Sequence, residues 1–269
     1  MALRSATLNV MMKAARQAAV RLKRDYGEVD QLQVSRKGPA DFVTAADTRT
    51  EKILKSELSR ARPDFGFLLE ESGSFAGKDP TRRWIVDPID GTSNFVHGIA
   101  HFAMSIALED KGDIVAGLVF DPINELMFTA EKGQGAYLNE RRIRVSQRLR
   151  MADSLFATGI PFLGRGEPGD HERFLKEMGA VMAVSAGIRR FGSAALDLAF
   201  VAAGRFEGFW ETGLQPWDIA AGILLVREAG GLVTDIEGGD KMMETGSIVA
   251  GNPAVHGPLG DAVRRARRQ

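Results

Sequence analysis

Leu8, Met11, Met12, Ala15, Ala19 and Leu22 recur at helical spacing and predict an amphipathic helix running to about Asp25, with Gly27 as its stop. A second helix is expected after Asp41-Phe42-Val43-Thr44, with Ile53, Leu54 and Leu58 on its apolar side and its end near Pro63. Thr48 and Glu51, three residues apart, have the form of a capping box at its start. The pattern then changes to short apolar runs. Phe65 to Leu69 leads straight into Glu70 and Glu71, and Trp84-Ile85-Val86 leads into Asp87. Further strands are predicted at Phe102 to Leu108, Ile114 to Phe120 and Leu126 to Ala130, with Asp121-Pro122-Ile123-Asn124 as the hairpin turn between the last two. Gly133-Gln134-Gly135-Ala136-Tyr137 lacks the third glycine and the strand–turn–helix setting of a dinucleotide loop, so it reads as another turn.

A second half begins near Arg150. Ser154 to Gly159 is strand-like, Pro161 to Asp170 is a Gly/Pro-rich exposed loop, and Phe174 to Met182 reads as helix. Ala194, Ala195, Leu198, Ala199 and Ala202 predict a helix closed by Gly204, and Arg205 to Glu211 a strand. Asp218 opens a helix carrying Ile219, Ile223, Leu224 and Val226, stopped by Gly230-Gly231. Strands return at Leu232 to Ile236 and Ile248 to Ala250. Helices mixed with hairpins argue for an α+β layered sandwich in two intimate halves, not for one Rossmann sheet.

Composition narrows this picture only a little. A chain of 269 residues can bury one large core or two lobes sharing an interface. Its 44% hydrophobic and 26% charged residues fit an ordinary soluble domain. No run approaches the roughly 18 apolar residues that span a bilayer, and the N-terminus lacks a secretory signal, so no membrane partner is expected. The chain has no cysteine, which removes disulfides, thiol nucleophiles and thiolate metal sites and makes a cytoplasmic location the expectation. Lys+Arg and Asp+Glu both total 35, so net charge selects no partner. Arginines do cluster, at 141, 142, 144, 148 and 150 and again at 264, 265, 267 and 268. These are either a solvated loop and a frayed helix end, or a footprint for RNA, DNA or an acidic partner.

The chemistry concentrates at Asp87-Pro88-Ile89-Asp90-Gly91-Thr92. Two carboxylates three residues apart at the end of a buried strand repel each other unless a positive charge lies between them. A hard divalent cation such as Mg²⁺, which takes oxygen ligands, is the natural occupant. Gly91-Thr92 can turn the chain into a helix whose free N–H groups face an anion. Metal and anion at one point suggest phosphate chemistry. Glu70 likewise follows a strand, and Asp218 stands at a helix start as either an N-cap or a ligand. His97 and His101 have the spacing of a zinc pair, but Gly98 replaces the glutamate that such a motif needs, so they read as structural.

Three segments carry a resemblance: Lys37-Gly38-Pro39-Ala40-Asp41-Phe42-Val43-Thr44-Ala45-Ala46-Asp47; Glu70-Glu71-Ser72 with Trp84 to Phe95; and Pro216-Trp217-Asp218-Ile219-Ala220-Ala221-Gly222 with Glu228-Ala229-Gly230-Gly231. In them the chain resembles the inositol monophosphatase family of metal-dependent, lithium-sensitive phosphatases, and its bacterial members through Arg189 to Ala195. The resemblance implies one domain over 1–269, a layered α-β-α-β-α sandwich like that of fructose-1,6-bisphosphatase. Its sub-lobes would be about 1–148, with most metal ligands, and 149–269, with Asp218. It implies two or three Mg²⁺ ions held by Glu70, Asp87, the Ile89 carbonyl, Asp90 and Asp218. Thr92 would orient the attacking water with Asp47 accepting the threonine proton, Glu70 would help activate water, and Lys37 would contact a water of a weaker metal. Gly91 and Thr92 would hold phosphate, while Arg189, Gly192, Ser193, Ala194 and Glu211 would line the alcohol pocket beside Ile89, Asp90 and Asp218.

The activity so implied is hydrolysis of myo-inositol monophosphate by direct attack of water, in a homodimer. The alternatives are the same chemistry on fructose 1,6-bisphosphate, histidinol phosphate or a nucleotide 3′-phosphate, or a dual role as an RNA- or transcription-associated binding protein. Ser93, where many members carry a second threonine, and Leu69, where a glycine is common, depart from the pattern without removing a ligand.

Overall fold

In the computed structural model, residues 5–29, 34–38, 41–161 and 168–268 are described. Helix α1 (Ala6–Gly27) is capped by Ser5, whose hydroxyl accepts from Leu8 N at 3.1 Å, and it buries the predicted stripe of Leu8, Met11, Met12, Ala15, Ala19 and Leu22. Strands β1 (Val34–Gly38) and β2 (Asp41–Thr44) pair antiparallel and lead into α2 (Ala45–Ala61). The capping box at that helix is Thr44 with Asp47, one turn before the expected Thr48 and Glu51. Both pairs have the right three-residue spacing. Thr48 is exposed, and Glu51 is instead drawn to a distant turn, where it accepts from Glu71 N at 2.8 Å and from Ser72 Oγ.

The largest sheet has eight strands: β3 (Phe65–Leu69), β4 (Gly73–Phe75), β5 (Asp79–Asp90), β6 (Ala103–Asp110), β7 (Asp113–Asp121), β8 (Leu126–Glu131), β9 (Gly135–Leu138) and β10 (Arg141–Ile143). They lie in the order β10-β9-β8-β7-β6-β5-β3-β4. Short helix α3 (Thr92–Val96) follows β5. A second sheet of five strands contains β11 (Leu155–Thr158), β12 (Gly187–Arg189), β13 (Gly208–Thr212), β14 (Leu232–Thr234) and β15 (Ser247–Gly251), ordered β12-β11-β13-β15-β14. The remaining helices are α4 (Asp170–Met182), α5 (Ala194–Ala202), α6 (Pro216–Glu228), α7 (Met242–Thr245) and α8 (His256–Arg267).

Period-two alternation assigns each strand face to its layer. On β6, Met104, Ile106 and Leu108 join the core formed with α1 and α2, whereas Ala103 and Ala107 face α5 and α6. On β13, Phe209 points to that same central helix pair and Trp210 to the outer core under α8. Both sheets are therefore covered on both sides, and their central strands read as continuous apolar runs. The layers run α1/α2, large sheet, α5/α6, second sheet, α4/α8, which is the expected α-β-α-β-α sandwich. Among the described residues no helix is long and apolar enough to cross a membrane.

The arginine clusters are partly built into this frame. Arg141 and Arg142 lie in β10, Arg148 pairs with buried Glu207 at 2.9 Å, and Arg264 donates to Ile236 O at 2.9 Å. Arg267 reaches buried Glu177 at 2.5 Å, and Trp210 Nε1 donates to the same carboxylate at 3.2 Å, which clamps α8 to α4 and β13.

Candidate active site

Regular alternation would put Asp87 and Asp90, three residues apart, on opposite faces of β5. Pairing with β6 shows why they are not: Asp87 stands opposite Ser105 and Asp90 opposite Ala103, so β5 carries one residue more than its partner. That is a bulge, and it contains Pro88, which has no N–H to give a ladder. The extra residue reverses the alternation. It brings both carboxylates to one side, where oxygens of Asp87, Asp90 and Asp218 lie within 4.8 Å of one another.

Asp218 is the third residue of α6, not its cap. Its Oδ2 accepts from Gln215 N at 2.7 Å in a capping box, and Pro216 occupies the first helical turn. Ser105 Oγ donates to Trp217 O at 3.0 Å, tying this helix start to the strand opposite Asp87. Glu70, half-buried just past β3, is hydrogen-bonded to Asp87, and its backbone N donates to Val86 O at 3.2 Å.

Burial raises the Asp87 carboxyl well above the ordinary carboxylate range, and the charges of Glu70, Asp90 and Asp218 raise it further. Asp218 is raised in the same way, by burial first and then by Asp90, against the Gln215 hydrogen bond. Asp90 is pushed up to about 6 by burial, opposed by hydrogen bonds from Ser193 and the Ala195 and Ala194 amides. Several acids thus share one buried point and destabilise each other's charged forms. Such a donor set, all oxygen and mutually repelling, fits a hard divalent cation.

Gly91, at φ +95°, is the left-handed turn that sends the chain from β5 into α3. Thr92 then places Oγ1 3.2 Å from Asp47 Oδ1 and 2.9 Å from Ile89 O, and its single proton can go to either. Asp47 is fully buried. Its Oδ2 accepts from Thr44 N at 2.8 Å and Thr44 Oγ1 at 2.6 Å, which leaves Oδ1 directed at Thr92. Burial raises its carboxyl, against those same Thr44 bonds. Asn94 ties α3 to the opposite wall, donating to His101 O at 2.8 Å and Phe191 O at 2.7 Å.

That wall holds the expected alcohol-side residues. Ser193 contributes more than backbone: it caps α5 and its Oγ donates to Asp90 Oδ2 at 2.5 Å, beside the Ala195 N bond at 2.8 Å. Gly192 and Ala194 flank it. Arg189 is exposed, and its guanidinium donates to Ile188 O on its own strand. The charge acting on the site comes from Arg190, which lowers both Glu211 and Asp197 against the burial that raises them. Sequence reading singled out Arg189 but neither Arg190 nor Asp197. Adjacent residues on an extended chain face opposite ways, and Asp197 is one acid inside an apolar helix, so only the tertiary fold reveals them. Lys37 lies in β1, but its side chain is outside the described residues, as are positions 162–167 of the predicted loop. His97 Nδ1 lies 2.7 Å from Ser93 O and His101 packs on Phe191 at 5.0 Å, consistent with structural roles.

A model of the inositol monophosphatase family matches residues 3–268. An inositol-1-monophosphatase of Mesorhizobium japonicum is 55% identical, the match covering 97% of each chain. The Nus factor SuhB of Escherichia coli K12 is 44% identical, covering 92% of each. The crystal structure of the extragenic suppressor protein suhB from Bartonella henselae superposes with a TM-score of 0.94 at 57% identity, covering 97% of this chain and 99% of that one.

Proposed function

The chain belongs to the inositol monophosphatase family, a family of phosphatase enzymes, and from that premise we propose that it hydrolyses myo-inositol monophosphate to myo-inositol and phosphate with Mg²⁺ as cofactor. One observation carries the reading: the Asp87, Asp90 and Asp218 carboxylates converge within 4.8 Å beside a Thr92 hydroxyl that is hydrogen-bonded to buried Asp47. Glu70, Asp87, Asp90, Asp218 and the Ile89 carbonyl would hold two or three ions. Ile89 O accepts from Thr92 and keeps a second lone pair for this. When bound, magnesium supplies positive charge that neutralises the phosphate oxygens and the departing alkoxide and makes water a better nucleophile.

The protein groups handle position and protons. Water forms the new P–O bond as the ester P–O bond breaks. One water proton leaves by way of Thr92 toward Asp47, the other stays on the phosphate, and the departing alkoxide takes a proton from solvent water. Thr92 Oγ1 accepts a hydrogen bond from the incoming water while passing its own proton toward Asp47 Oδ1, which fixes the water in line with the ester bond. Thr44 holds Asp47 in place for this, and Gly91 and Thr92 amides at the helix start face the phosphate. Glu211 accepts from the polyol hydroxyls across the wall formed by Gly192, Ser193 and Ala194. Inhibition by lithium, a second copy of the chain as partner and a cytoplasmic location belong to the same proposal.

Purified protein is expected to release phosphate from inositol 1-phosphate only when Mg²⁺ is present. Faster hydrolysis of fructose 1,6-bisphosphate, histidinol phosphate or a nucleotide 3′-phosphate, ranked by kcat/KM, would replace the alcohol and keep the chemistry. Activity that survives chelation of all divalent ions would overturn the metal assignment.

A further inference from the structure

Glu211 owes its position to a missing side chain on the neighbouring strand. Strands β11 and β13 run parallel with Thr158 opposite Trp210, and Thr158 Oγ1 donates to Trp210 O at 2.8 Å, which locks that register. One step further, buried Gly159 stands level with Glu211 and would present a side chain to the same face. A Cβ on Gly159 would overlap Glu211 Oε1, Cδ and Oε2. The Glu211 carboxylate therefore lies over the bare backbone of residue 159. From there it interacts with Asp197, Asp90 and Arg190.

The three nearest atoms such a Cβ would meet all belong to the far end of one flexible side chain. Gly159 is also not among the glycines at positive φ, so an alanine can adopt its conformation. The part that must yield to a methyl group at 159 is the Glu211 carboxylate, while the strand pairing stays.

We propose that Gly159 is a positioning residue for alcohol recognition: its lack of a side chain fixes where Glu211 can accept hydroxyls and so helps set which polyol phosphate is preferred. This rests on the phosphatase reading above. Displacing that carboxylate also shifts a charge felt by Asp90 and Asp218, an effect common to every ester the site hydrolyses.

The test compares inositol 1-phosphate with 4-nitrophenyl phosphate, which offers Glu211 no hydroxyl, and follows the ratio of their kcat/KM values. Gly159→Ala is expected to lower that ratio roughly tenfold or more, the order of a lost hydrogen bond to a charged group, chiefly through KM for inositol 1-phosphate. Glu211→Ala should lower it similarly, and Gly159→Ala added to Glu211→Ala should lower it no further, because no carboxylate remains to be displaced. An unchanged ratio in Gly159→Ala, or an equal extra loss in the double variant, overturns the inference. Should Gly159→Ala alone fail to fold, a double variant that folds with the ratio of Glu211→Ala supports it, and one that does not fold overturns it. A wild-type protein inert toward both esters with Mg²⁺ overturns the phosphatase reading itself, and this inference with it.

Discussion

Asp90 receives hydrogen bonds from Ser193 and Ala195, yet burial still pushes its carboxyl up to about 6. A folded-state value raised above the unfolded one means that the stability it contributes is present below about 4 and is lost as pH climbs through about 6. In metal-free protein at about pH 8, ionised Asp90 is thus a burden on the order of 3 kcal/mol. Asp90→Asn keeps the shape and can still accept both hydrogen bonds, so its metal-free form should melt a few degrees higher than wild type near pH 8 and at nearly the same temperature near pH 4. The same variant should lose activity by more than about a hundredfold, since the charge it removes is the one a cation needs. A melting difference that does not change with pH would sink this account. Thr92 gives a separate handle. Thr92→Ala should lower kcat by roughly a hundredfold or more, while Thr92→Ser, which keeps the hydroxyl, should stay within about tenfold of wild type in steady-state assays.

Helix α5 shows how a capping residue reaches into the chemistry. Ser193 accepts from Leu196 N and donates to Asp90, so Ser193→Ala should cost about 1 kcal/mol of unfolding free energy as a lost cap. It also removes a hydrogen bond that favours ionised Asp90, so the acidic limb of the kcat/KM profile should move to higher pH. A stability loss with an unmoved acidic limb would separate the cap from the site. Helices α1, α2, α4, α5 and α6 and the central strands were legible from apolar spacing, since both faces of each sheet are buried and the runs are long. The acids at β3 and β5 were legible because charge at the end of an apolar run is costly. The bulge at Pro88, which puts Asp87 and Asp90 on one side, depends on pairing with β6, and the choice of Thr44 over Thr48 as cap depends on what else Glu51 binds. Strands β1, β4 and β12 are only three to five residues long and carry no period to read.

Across the whole molecule the acids are gathered from both sides of the layer boundary: Asp87 and Asp90 from the large sheet, and Asp218 from the central helix layer that separates it from the second sheet. A cation held by all three bridges these layers, so binding should stabilise the fold globally. At a free concentration about a hundredfold above Kd the gain is about 2.7 kcal/mol. For a chain of this size that raises the melting temperature by about 5 to 10 °C. The gain must depend on pH. Below about 6 Asp90 holds its proton and the cation has to displace it, while the neutral Asp90 carboxyl adds no repulsion to the cluster. Above that value ionised Asp90 strains the metal-free protein and binds the cation without releasing a proton. The Mg²⁺-induced rise in melting temperature should therefore be small near about pH 5 and grow toward about pH 8. Asp218→Asn and Asp87→Asn, placed on different elements, should each flatten that curve. Wild-type protein whose Mg²⁺ shift is the same at both pH values, or variants that keep the wild-type shift, would show that the ion binds elsewhere.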